Sequence, residues 1–437
     1  MKKALFYIML FFLFLFLLLF IVPNNMDELW NFGFSYAIRI GEIPYRDFNM
    51  VIPPFFPFFM TIPLLLWNNS LSYIIFHCLI LLGTIYLVEK MYGDCVYLLL
   101  FLFMLLVYVL FPSYNLFLFV LLVCILYLEK SHYRKKDFLI GLLIALSFLT
   151  KQNVGIFLVI PTLLFCRKNK LSLSKRFLGF IIPLILFSIY FVVTKSFAQF
   201  IDFCFLGLID FSGNFHSIGI FFFAFLVCFV FSIWILMKNN RIEYWYIVLS
   251  YMVITPLFDC LHFFYFLPFF FLLLFERYGC FYKWKLVFYV GLPTILFGFL
   301  IQKQINFSSY PNDIPHMEYR YIPKIGIQYY DHILSYLKDK DFIMYDSSTY
   351  FYRIALSDQI GYLDILNQGN MGYHGTQKWI DCIEKNRDKI VLVNHDTERY
   401  FKQEKNQMDQ EIYWYIREHF HLVDSIENFD VYIYNKE

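Results

Sequence analysis

The sequence predicts a polytopic α-helical membrane protein of about eleven transmembrane helices, ending in a small extracytoplasmic α/β domain. Three observations carry that prediction. The chain of 437 residues is 60% hydrophobic, 23% aromatic and only 16% charged, against a charged fraction of roughly 25% in soluble domains, and its mean hydropathy is +0.58. Its long apolar runs nearly all fall before residue 302, and the longer ones approach the ~20 residues a helix needs to cross the hydrocarbon core. From 302 onward the apolar residues become periodic, and 15 Lys and Arg stand against 21 Asp and Glu, a net charge of −6. Backbone groups in lipid must be satisfied within their own segment, so the apolar runs are helices.

In order, the spans are expected at about 5–22, 71–88, 95–111, 115–128, 137–149, 154–166, 177–194, 217–237, 244–258, 262–275 and 285–301. Segment 54–67, with Phe55, Phe56, Pro57, Phe58 and Phe59, is short and broken by proline, and is read as a helix lying in the membrane interface. Positive charge, which collects in cytoplasmic loops, tests that choice. With the N-terminus inside and 54–67 not crossing, 17 Lys and Arg fall inside, among them Lys130, Arg134, Lys135, Lys136, Arg167 and Arg176, and only Arg39, Arg46, Lys151 and Lys195 fall outside. A crossing at 54–67 would reverse every later loop. The chain is therefore expected in the plasma membrane as a multi-pass protein, its N-terminus cytoplasmic and its C-terminal domain outside. The opening Lys2-Lys3 and apolar run read as an uncleaved first helix, because Val22-Pro23-Asn24-Asn25 offers no small-residue cleavage site.

Residues 1–302 thus form the transmembrane module and 303–437 the soluble domain. Within the latter, Ile325 to Leu337 and Ile412 to His419 have helical spacing, while 342–345, 390–393 and 431–434 read as strands. The nine cysteines are scattered singly, so no disulfide framework or thiolate metal motif is visible. The overall charge of +2 conceals a basic inner face and an acidic outer domain, which is a membrane pattern rather than a nucleic-acid-binding one.

Chemistry is sought where polar residues gather at the outer face. Loop 23–53 holds Asp27, Glu28, Glu42, Arg46 and Asp47. A carboxylate partly buried beside the bilayer gains basicity and suits proton abstraction from a hydroxyl, although an ordinary solvated loop has the same composition. Thr150-Lys151-Gln152-Asn153 interrupts one apolar stretch; a compact cation with two amides suits a phosphate, and a tight turn with a snorkelling lysine is the alternative. Asp259-Cys260-Leu261-His262 pairs an acid with a histidine for a phosphate or a sugar hydroxyl, or forms a plain hydrogen-bonded turn.

An uncleaved first helix, Asp27-Glu28, then Gly41-Glu42-Ile43-Pro44-Tyr45-Arg46-Asp47-Phe48, the proline-rich interfacial run and Thr150-Lys151-Gln152-Asn153-Val154-Gly155 together resemble the GT-C superfamily of membrane glycosyltransferases. The likeness is greatest to the group of protein O-mannosyltransferases and lipid A aminoarabinose transferases, and it covers roughly residues 5–300. It implies an enzyme that moves a sugar from a polyprenyl-phosphate donor, with inversion, to a glycan, lipid or protein acceptor of the cell envelope. It further implies Asp27 as catalytic acid/base with Glu28 supporting it or sharing a divalent cation, Lys151 at the donor phosphate with Gln152 and Asn153, and Arg46, Asp47, Asp259 and His262 as further substrate contacts. The tail 302–437 departs from the pattern and leaves the acceptor undefined. Two other classes stay open: a transporter or flippase of lipid-linked glycans, which would place charges deep within spans, and a non-catalytic envelope-assembly protein.

Overall fold

A computed structural model describes residues 2–20, 27–93, 112–212, 219–255, 258–278, 316, 330–345, 371–395 and 410–435. The chain is mostly helical, with a small sheet near its C-terminus. Its first module comprises α1 (Lys2–Phe20), α2 (Asp27–Arg39), α3 (Phe55–Leu66), α4 (Ser70–Tyr92), α5 (Tyr114–Lys130), α6 (Lys136–Phe148), α7 (Gln152–Cys166), α8 (Lys170–Val193), α9 (Phe197–Ile201), α10 (Gly207–Ser212), α11 (Ile220–Lys238), α12 (Ile242–Leu249) and α13 (Cys260–Tyr278). A π-helical turn, Asp202–Leu206, separates α9 from α10, and a 3₁₀ turn, Ser250–Ile254, continues α12.

Among the described residues, four helices are long and apolar enough to cross a membrane: Ser70–Tyr92, Lys170–Val193, Ile220–Lys238 and Leu261–Tyr278. Five more of the expected spans coincide with shorter or less uniform helices, and the spans at 95–111 and 285–301 lie outside the described residues. For the shorter of these helices, length is the reason. The 13 residues of α6 rise about 20 Å at 1.5 Å per residue, less than the ~30 Å of a hydrocarbon core. Segment 54–67 forms α3, a 12-residue helix with Phe56, Met60 and Leu64 buried along one stripe and Ile62, Leu65 and Leu66 exposed. Loop 23–53 is not wholly irregular, since α2 occupies its first half; Phe32, Tyr36 and Ser35 turn inward on a helical spacing that the surrounding polar residues mask in the sequence.

The ends of the helices sort into two groups. At one end, Glu89 of α4 accepts bonds from Lys3 and Tyr7 of α1, while Glu276 of α13 gathers Tyr92, Lys130 and Arg241. Arg176 of α8 holds Glu129 of α5 and Asp137 of α6 at 2.6 and 2.9 Å. At the other end, the Phe55 N–H bonds the Leu149 carbonyl at 2.9 Å, tying the start of α3 to the close of α6. Glycines allow α6 to pack tightly: a Cβ on Gly141 would lie 1.9 Å from the Arg176 carbonyl oxygen, and one on Gly155 would lie 2.2 Å from the Phe148 Cα.

The C-terminal domain contains α14 (Tyr330–Leu337), β1 (Phe342–Tyr345), α15 (Gly375–Lys385), β2 (Ile390–Asn394), α16 (Gln410–His419), β3 (Phe420–Ile426) and β4 (Phe429–Tyr434). The sheet order is β1-β2-β4-β3, parallel between β1 and β2 and antiparallel elsewhere. Strand alternation sends Phe342, Met344 and Leu392 to one face, with Ile333 and Leu337 of α14. Ile343, Tyr345, Val391 and Val393 face the other way, against Trp379 and Ile383 of α15 and Ile412 and Ile416 of α16. The α14 side is continuous with Phe32, Tyr36, Phe56, Met60, Leu64 and Tyr73, so the domain shares a core with α2, α3 and α4. Two polar links reinforce that seating. The Ser70 N–H bonds the His316 carbonyl at 2.7 Å, and Asp202 accepts the Tyr373 N–H at 3.1 Å and pairs with Lys378.

Candidate functional site

Asp27 and Glu28 open α2 at the end of the bundle that meets the C-terminal domain. Their side chains lie outside the described residues. The helix they begin is fixed closely: Phe32 meets Tyr73 edge to face with ring centroids 5.4 Å apart, and the Arg39 Nε donates to the Leu64 carbonyl at 3.1 Å. The same end holds Tyr114, which packs against the aromatic clusters on both sides of α2.

The segment 41–48 is held by its own residues. Tyr45 is fully buried at φ 69°, its hydroxyl donating to the Ile52 carbonyl at 2.6 Å and its ring enclosed by Phe191, Phe200 and Phe203. Asp47 accepts the Ile43 N–H at 2.8 Å and two bonds from Arg46, at 2.8 and 2.9 Å. Burial pulls the Asp47 carboxyl upward, yet the bonds from Arg46 and Ile43 outweigh it and hold the group below its ordinary value. The exposed Arg46 also reaches the Thr194 carbonyl at 3.5 Å, at the end of α8.

The tetrad 150–153 sits deeper. Phe55, bonded to Leu149, packs on Phe187 of α8, so the tetrad follows directly on the junction of α3, α6 and α8. Lys151 is 7% exposed. Its ammonium donates to Asn115 Oδ1 at 3.2 Å and to the Val253 carbonyl at 2.7 Å, and lies 5.8 Å from the centre of the Tyr114 ring. Gln152 Nε2 donates to the Cys204 carbonyl at 2.7 Å, within the π turn, and Asn153 Nδ2 donates to Thr255 Oγ1 at 2.7 Å. The side chains of 151–153 therefore clasp α5, the π turn and the 3₁₀ turn together. A turn with a snorkelling lysine does not describe this, because the lysine points into the bundle.

Asp259 and His262 form a local unit at the start of α13. Asp259 Oδ1 accepts the His262 N–H at 2.8 Å and both carboxylate oxygens lie about 3 Å from His262 Nδ1, at 3.0 and 3.1 Å. Asp259 thus caps the helix. Its burial favours the neutral acid, but the bonds from His262 prevail and set the carboxyl below its ordinary value. His262 itself is 6% exposed. Asp259 stands four residues after Thr255, which Asn153 holds, so the tetrad and this cap belong to the same end of the bundle.

Two residues that sequence reasoning passed over stand out. Asn115, 1% exposed, receives Lys151 through its carbonyl oxygen, while its Nδ2 has no hydrogen-bond partner among the described residues. The only sequence signal is Ser113-Tyr114-Asn115 opening an apolar run, which reads as a helix cap; Ser113 indeed caps α5 through the Leu116 N–H. Asp202, the first residue of the π turn, links to the C-terminal domain. Among the described residues, no group of three or more His, Cys, Asp or Glu is placed to hold a metal ion. No protein-family model and no curated protein matches the chain.

Proposed function

We propose that the protein is an inverting glycosyltransferase of the plasma membrane that moves a sugar from a polyprenyl-phosphate donor to a cell-envelope acceptor on the outer face. The observation that carries this reading is Lys151: a buried ammonium, held by Asn115 and the Val253 carbonyl at the end of the bundle where Asp27 opens α2. Ionisable groups inside an apolar bundle are costly and mark ligand or ion sites. The sorting of Lys3, Lys130, Arg176 and Arg241 to the opposite end supports an inside N-terminus and an outside C-terminal domain.

In this reading Asp27 takes the proton of an acceptor hydroxyl as its oxygen bonds to the anomeric carbon. The bond from that carbon to the phosphate oxygen breaks, the configuration inverts, and polyprenyl phosphate departs with its charge held by Lys151. Arg46, which is exposed, and His262, oriented by Asp259, serve the exposed part of the donor or the acceptor. Glu28 and Asp47 support Asp27 and Arg46, while Gln152 and Asn153 fix the turn that presents Lys151. A divalent cation at Asp27 and Glu28 belongs to the same proposal.

The test is release of polyprenyl phosphate from a labelled donor by the purified protein. Asp27→Asn is expected to insert normally and lose transfer by at least a hundredfold, in the range general-base removal produces. Lys151→Ala is expected to raise the donor concentration needed for half-saturation. Wild-type turnover by the Asp27→Asn variant would remove Asp27 from the mechanism, and no release by the wild-type protein would overturn the reading.

A further inference from the structure

We infer that Asn115 is itself a phosphate-binding residue of this pocket, donating through Nδ2 to the same phosphate that Lys151 holds. The inference rests on the functional reading above and assigns a role that the sequence did not suggest. Asn115 is 1% exposed, and its Nδ2 has no hydrogen-bond partner among the described residues. Such a buried donor is costly unless something accepts from it. Its orientation is fixed, because Oδ1 accepts from Lys151 Nζ at 3.2 Å, and that bond leaves the buried amide nitrogen as the unpartnered half of the carboxamide. Asn115 is also the second residue of α5, a helix of 17 residues capped by Ser113, so the positive end of the helix dipole adds to the ammonium beside it. Two donors side by side, one charged and one neutral, over the start of a helix match two oxygens of one phosphate group.

The choice of asparagine over its relatives follows from the same geometry. Aspartate at this position would hold Lys151 more tightly but would present a second negative charge to the phosphate. Leucine would remove both the acceptor and the donor. A carboxamide supplies both an acceptor for the lysine and a donor for the ligand.

The experiment uses the full-length protein in lipid nanodiscs and measures binding of a long-chain polyprenyl phosphate and of the uncharged polyprenol of equal length. The wild type is expected to prefer the phosphate, Lys151→Ala to lose most of that preference, and Asn115→Asp to weaken phosphate binding at least tenfold while leaving polyprenol binding within twofold. Should Asn115→Asp fail to fold, Asn115→Ala carries the same expectation, with thermal unfolding confirming its integrity. Unchanged phosphate affinity in the folded variants at Asn115, with Lys151→Ala impaired, overturns this inference and leaves the functional reading standing. Equal binding of phosphate and polyprenol by the wild type overturns both.

Discussion

At the scale of single residues, Tyr45 shows why the polar segment 41–48 keeps one shape. A left-handed backbone costs a side-chain-bearing residue roughly 1–2 kcal/mol, and here the burial of the ring and the bond to the Ile52 carbonyl outweigh it. Tyr45→Ala is expected to destabilise the protein by about 3–5 kcal/mol, as removal of a buried aromatic ring does, measured by thermal unfolding in detergent. Asp47 adds a pH dependence. Its carboxyl is held below the ordinary value, so its contribution is present above the unfolded-state pKa of about 3.9 and is lost as the pH falls through the lower folded value. Proteolysis of segment 41–52 should therefore stay constant from neutral pH down to the ordinary aspartate range and rise only below it, and Asp47→Asn should abolish that rise. The sequence displayed Arg46 and Asp47 as charges beside a membrane; that they satisfy each other and the Ile43 N–H was hidden, because it depends on the turn that Tyr45 imposes.

At the scale of elements, hydropathy located the apolar helices but not their packing. Runs of Leu, Phe and Ile announce a helix in lipid whatever its neighbours are, so the ranges 71–88, 177–194 and 262–275 were legible directly. Helix α15 and strand β3 of the tail were not read from the sequence: Gly375–Lys385 is a short helix of 11 residues with a largely polar composition, and β3 is an exposed edge strand. Close approach between helices is invisible in hydropathy, yet it governs where the tetrad sits. Gly155 brings α7 against the backbone of α6 at Phe148, directly beyond Lys151. Gly155→Ala is expected to separate that hairpin, cost about 1–3 kcal/mol of stability and weaken donor binding together with it. At the opposite end, Arg176 joins α5, α6 and α8 through two carboxylates while itself only 5% exposed in its side chain. Arg176→Ala leaves Glu129 buried without its partner and should cost about 3–5 kcal/mol, read as loss of folded protein on extraction, whereas surface changes such as Lys168→Ala should be silent.

At the scale of the whole molecule, an apolar helical part followed by a C-terminal sheet was legible because composition changes between them, and the polar breaks at 150–153 and 259–262 were legible because charge within apolar sequence is rare. What joins them was not, since every link runs between residues distant in sequence: Lys151 to Val253, Gln152 to Cys204, Asp202 to Lys378. The last two of these links meet in the π turn Asp202–Leu206. Its first residue grips the C-terminal domain, the Cys204 carbonyl receives Gln152, and the Cys204 thiol donates to the Tyr45 hydroxyl at 3.3 Å. Five residues thus act as a junction box for the molecule. A shift of the C-terminal domain is thereby relayed through one short turn to the segment that carries Lys151, and Asp202→Ala is expected to leave both halves folded while protease sensitivity of the segment around Lys151 rises.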